Sequence, residues 1–235
     1  MGPPVRFRPA LSDMLMRMRI LILAATLSCV ALAQTKLPAD IDPQSLSRLP
    51  FIERSKLSGD ALRVYDAVIG KDAQGNPRPV PATGPAATSL YSPGVALPMN
   101  ELNQYLRNTV VGPAIFQICT LIAAREFDEN YEWTSHEAGA KRANVDQKTI
   151  DAIKFGRSLD GLPEKEALAV RFGRAIFHDH KVSSELYAQV VKTFGQQGMF
   201  EMTAVMGDYA MAAIMLRAVD QHVPNSPPEL PAIKR

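Results

Sequence analysis

Two cysteines and one tryptophan in 235 residues are the first scarcities in this sequence. Cys29 lies in an apolar leader, so Cys119 stands alone in the body of the chain. One thiol closes no internal disulfide and builds neither a C-x-x-C centre nor a cysteine-rich metal site. An excess of one charge is missing too. The 26 basic and 24 acidic residues nearly cancel, and removing the leader's four arginines and one aspartate leaves 22 and 23. No basic stripe remains to attract a nucleic acid. Strand-like alternation, internal repeats and low-complexity blocks are also absent.

What is present begins with export grammar. Arg17 and Arg19 precede a 14-residue apolar run, Ile20 to Ala33, that ends in Ala31-Leu32-Ala33. This reads as a secretory signal peptide cleaved before Gln34, with residues 1–13 as an upstream extension. The run falls short of the roughly 20 apolar residues that span a bilayer, so no membrane association is expected after cleavage. Lipidation at Cys29 would want a leucine where Thr26 stands. The expected product is exported, periplasmic or secreted. It comprises a polar lead-in at 34–57, one helical domain at 58–222 and a proline-rich tail at 223–235.

The domain reads as all-α, a compact helical bundle. Ser58 is placed to cap a helix carrying Leu62, Tyr65, Val68 and Ile69. Residues 70–94 read as a loop, broken by six prolines and glycines between Gly75 and Pro85. Helices are then predicted over 95–107, 113–126, 130–143, 145–155, 163–177, 183–194 and 197–219. The second of these, "PAIFQICTLIAARE", is apolar on nearly every side and reads as the buried centre. The last holds Met199, Met202, Met206, Met211 and Met215, read as adaptable core or as the lining of an apolar pocket.

Chemistry concentrates in "ENYEWTSHEAG", 129–139. On a helix, Glu129, Glu132, Trp133, His136, Gly139, Ala140 and Ala143 fall within an arc of about 120°. The small residues mark that arc as the side approached by another helix, so its ionisable groups face protein. Buried charge must be paired or neutralised. Glu132 and His136, at i and i+4, meet that demand mutually, which predicts a raised histidine pKa suited to proton transfer. The same pair also serves as purely structural packing. As metal ligands the two would need "HDH" at 178–180 or His222, and their spacing matches no zinc pattern.

The segment "YEWTSHEAGAKRANV" (131–145) resembles the motif helix of the carboxymuconolactone decarboxylase family, within the alkylhydroperoxidase-D-like superfamily. The resemblance extends through "LSGDALRVYDAVIG" (57–70), Gly84-Pro85, "SPG" (92–94), "YLR" (105–107) and residues 178–218, about 45–222 in all. It implies a helical fold that assembles as homotrimers or hexamers with sites near subunit contacts. It also implies a decarboxylase acting on a small lactone or keto carboxylate with no metal or organic cofactor. His136 takes the motif histidine's place as the proton carrier, with Glu132 as its partner and Glu129 as a second acid. Tyr131 and Trp133 become pocket wall or packing. Gln117 stands where the family commonly carries a glutamate, nineteen residues before the histidine, and is expected to hydrogen-bond substrate or His136. Redox members of the superfamily place two cysteines at the positions of Glu129 and Glu132, so the antioxidant alternative lacks its dithiol. The remaining alternative is a non-catalytic exported oligomer that binds a hydrophobic small molecule.

Overall fold

The computed structural model describes Gly2 and residues 37–233, apart from 71–74, 77, 79–82 and 226. The leader therefore lies outside the described residues. These residues fold into eight α-helices with no strand among them; the one bridge-like pairing joins Asp42 and Ser47. The helices are α1 (Gly59–Ile69), α2 (Gly84–Ser89), α3 (Pro93–Leu106), α4 (Gly112–Glu126), α5 (Asn130–Arg142), α6 (Gln147–Phe155), α7 (Glu164–Phe177) and α8 (Ser184–Ala218).

The bundle is organised around α4, which packs against α5, α6, α7 and α8. Its near-uniform apolar surface is the reason: Ile118, Cys119, Leu121 and Ala123 are all fully buried. A helix with no polar face has no side to give to solvent, so partners surround it. Ser58 sits at the start of α1 in extended backbone, but its hydroxyl makes no capping bond. The break foreseen near the end of the chain falls at Gly195, whose φ of 74° interrupts α8 between 184–194 and 196–218. That backbone suits glycine, which has no Cβ to clash.

One expectation changes. The stretch 70–94 is not loop throughout, because Gly84–Ser89 closes into α2 with Pro85 in its first turn, and α3 begins already at Pro93. Proline lacks only an N–H that a first helical turn leaves unused, so it starts helices as readily as it breaks them. The tail is extended but docked: Leu230 packs on the core cluster and Ile233 lies over Gly156. Of the methionines on α8, Met202 and Met206 are core, while Met211 is exposed.

Acidic residues enter the bundle at Glu201 and Asp208, on the inner side of α8. Glu201 accepts three hydrogen bonds, from Val110 N–H at 2.8 Å, Tyr105 O–H at 3.0 Å and Gln197 Nε2 at 2.7 Å. It ties the α3–α4 connection to the last helix.

Candidate active site

Helix α5 starts from Glu129, whose Oε2 accepts the Glu132 N–H at 2.7 Å and caps the first turn. The face that helical spacing turns inward is buried as a whole: Glu132, Trp133, His136, Gly139 and Ala140. Within it, Glu132 Oε2 stands 3.5 Å from His136 Nε2. The other ring nitrogen, Nδ1, lies 2.8 Å from Gln117 Oε1. With that oxygen as acceptor, Nδ1 carries the hydrogen and Nε2 keeps its lone pair toward Glu132. Gln117 comes from α4, and its amide lies flat against Gly139, where a Cβ would sit 2.7 Å from Nε2 of the amide. Tyr209 of α8 completes the cradle by edge contact with the imidazole, ring centroids 4.8 Å apart.

The electrostatics reverse the sequence expectation for His136. Burial pushes its pKa down to about 3, and the charges of Arg107 and Arg142 act in the same direction. Burial pushes Glu132 up to about 8, with the neighbouring Glu129 carboxyl adding to the rise and Arg107 opposing it. At neutral pH the two are therefore a carboxylic acid beside a neutral imidazole. Keeping two ions in this site would cost several kcal/mol of hydration, and a 3.5 Å contact is too long to return it.

Glu132 and His136 line a cavity of about 260 Å³. That is slightly below the roughly 300–1,000 Å³ of drug-sized sites, so it suits a small molecule. Its walls come from α1, α2, α3, α5 and α8, with Val68, Pro85, Ala86, Met99 and Ala212 as apolar surface. Tyr131 belongs to this wall. Its hydroxyl is 2.8 Å from Thr83 Oγ1, and its ring lies across Gly84, where a side chain would collide with it. The φ of 78° at Gly84 also calls for glycine.

Gln117, Glu129 and Trp133 lie off the cavity wall. Gln117 holds His136 from behind and is not part of the wall. Glu129 stays at the helix cap; burial raises its carboxyl to about 7, and it reaches the cavity only through its effect on Glu132. Trp133, on the same buried face, turns away from the cavity, donating to Glu137 Oε2 at 2.6 Å with Lys154 Nζ 5.6 Å from its ring centre. None of the five α8 methionines lines the cavity. Cys119 is sealed in α4, and burial raises its thiol pKa. His178 pairs with Glu126 at 2.7 Å, and no cluster of three potential metal ligands occurs among the described residues.

Sequence reasoning missed Asn103 and Arg107 on α3 and Asp208 and Tyr209 on α8, all in the wall. Asn103 Nδ2 donates to Asp208 Oδ2 at 2.8 Å, and Arg107 Nε donates to Asn103 Oδ1 at 2.9 Å. The second Asp208 oxygen has no partner, and burial raises the pKa of its carboxyl.

No protein-family model matches the chain, and no curated protein sequence matches it. Solved structures do. The ligand-free debrominase Bmp8 superposes with a TM-score of 0.56 at 14% identity, over 77% of this chain and 92% of that one. A Cys-to-Ala variant of Bmp8 in complex with 2,3,4-tribromopyrrole gives a TM-score of 0.54 at 15% identity, over 75% and 91%. The chain shares their helical fold.

Proposed function

We propose that this protein is a cofactor-free acid–base enzyme of the carboxymuconolactone decarboxylase type, acting on a small lactone or keto carboxylate. The observation that carries the reading is the Glu132–His136 pair on the wall of a small, largely apolar cavity, one member holding a proton and the other a free lone pair. A carboxyl kept neutral near pH 7 is the state a general acid needs. As the bond to the leaving carboxylate breaks, its electron pair passes to the adjacent carbon and carbon dioxide departs. That carbon takes a proton from His136 Nε2, which draws it from Glu132. Solvent then restores the proton to Glu132. Gln117 keeps Nε2 as the working nitrogen by holding Nδ1–H, and water-poor walls strengthen each of these dipoles. A ligand complex in a protein of the same fold supports a small-molecule site here.

Export belongs to the proposal, supported by the leader grammar of residues 14–33. So does a homo-oligomer, trimer or hexamer, supported by exposed apolar side chains on α3 (Val95, Leu102, Tyr105) and α8 (Phe200, Ile214). The test is carbon dioxide release and loss of lactone absorbance from 4-carboxymuconolactone, with the full chain beside His136→Ala. The expected result is turnover in the wild type that disappears in the variant while Tm stays within about 5 °C. A folded wild type that releases no carbon dioxide from this lactone or from small keto acids sinks the decarboxylase reading.

A further inference from the structure

We infer that Arg107 anchors a carboxylate that the reaction leaves in place, with Asn103 as its positioning residue; the inference rests on the decarboxylase reading above. Arg107 closes α3, is exposed, and is the one lysine or arginine among the cavity's described wall residues. Its Nε is fixed on Asn103 Oδ1 at 2.9 Å. Asn103 is held at its other end, where Nδ2 donates to Asp208 Oδ2 at 2.8 Å and to the Tyr209 oxygen at 3.4 Å. The amide thus keeps the aspartate on one side and the guanidinium on the other. Arg107 makes no ion pair among the described residues, and its two terminal nitrogens have no protein acceptor there. A guanidinium oriented through Nε with its fork open is a receptor for a planar, two-oxygen anion.

Which carboxylate it takes follows from the chemistry. A carboxylate paired with arginine is stabilised as an anion, and losing it as carbon dioxide forfeits that pairing in the transition state. Binding the leaving group there would favour the ground state and slow the reaction. The leaving carboxylate therefore belongs with the apolar wall beside Glu132 and His136, and Arg107 takes another.

The test reads binding without turnover. Levulinate, a small keto carboxylate, and its uncharged methyl ester are titrated calorimetrically into the full-length wild type, Arg107→Gln, Arg107→Lys and Asn103→Ala at pH 7. The expected wild-type preference for levulinate over the ester is at least tenfold. Arg107→Gln abolishes it and leaves ester affinity within twofold. Arg107→Lys keeps only part, and Asn103→Ala lowers levulinate affinity by more than it lowers ester affinity, a charge-selective effect that a purely structural role would not produce. Equal binding of both probes to the wild type, no saturable binding of either, or a preference that survives in Arg107→Gln overturns the anchor. Preference for levulinate in a protein that releases no carbon dioxide from any lactone or keto acid sinks the decarboxylase reading. Turnover without preference sinks the anchor alone.

Discussion

Glu132 and Glu201 are both glutamates on helices with little accessible surface, 3% and 4% exposed, but Glu132 lies deep in the bundle and Glu201 close to its surface. Their surroundings send them opposite ways. Burial alone would raise Glu201, but Gln197, the Val110 N–H and the Tyr105 O–H hold its carboxyl below the usual range. Glu132 receives no such donors; its near neighbours are a neutral imidazole at 3.5 Å and a second carboxyl, and it rises to about 8. Low surface exposure of a carboxyl therefore says little about its role. Its depth and the donors supplied to it together separate a structural anchor from a group left holding a proton, and only Glu132 borders the cavity.

The largest expected effect is in the pH dependence of Glu132→Gln. A carboxyl whose folded pKa lies above its unfolded value stabilises the protein fully below the unfolded value, and that contribution is lost as pH rises through the folded one. The window runs from the ordinary carboxyl value of 4.5 to about 8. Across it the neutral variant should gain on the wild type by up to about 1.4 kcal/mol per pH unit in denaturant titrations at pH 5, 6.5 and 8. A difference that does not change with pH would mean Glu132 is ionised throughout, and the contrast with Glu201 would collapse.

Glu201→Ala should give the opposite picture, a loss of about 3 kcal/mol at neutral pH because the Val110 N–H, the Tyr105 O–H and the Gln197 amide lose their shared acceptor. Since the folded pKa of Glu201 is depressed, its contribution is present above the unfolded value and fades as pH falls. The penalty should therefore shrink on acidification, as read from the same titrations. A loss under about 1 kcal/mol would show that the three donors find water instead.

The same contrast explains what the sequence could and could not reveal. The apolar wrap of α4, the inward face of α5 and the break near Gly195 follow from local periodicity, and each is where the pattern puts it. The half of the site on α5 was legible for that reason. Asn103, Arg107, Asp208 and Tyr209 were not, because they join the cavity across α3 and α8, about a hundred positions apart. One local signal did exist: Asp208 is the single charged residue in the otherwise apolar or small run 202–216. A lone carboxyl on the inner side of a core helix must meet a donor or a cavity, and here it meets both. The direction of the His136 shift was also out of reach. Spacing fixes the neighbour but not how much water the pair retains, and water decides between an ion pair and a neutral one.

The smallest effect, and the most selective, concerns Gln117. Its oxygen holds His136 Nδ1–H at 2.8 Å, yet an amide cannot offset a positive imidazolium as a carboxylate would. Gln117→Glu keeps the shape of the contact and supplies that charge. The imidazole, held near 3 by burial, should rise by at least about one pH unit, equivalent to roughly 1.4 kcal/mol, as followed by histidine side-chain NMR through a pH titration. With the imidazole more basic, the proton on Glu132 becomes easier to draw across to Nε2, so any pH limit on turnover set by the pair should move with it. If the NMR midpoint stays where it is, the introduced carboxyl has itself taken up a proton. Nδ1 would then rest in surroundings too dry for any charge, and proton transfer in this site would run between neutral partners alone.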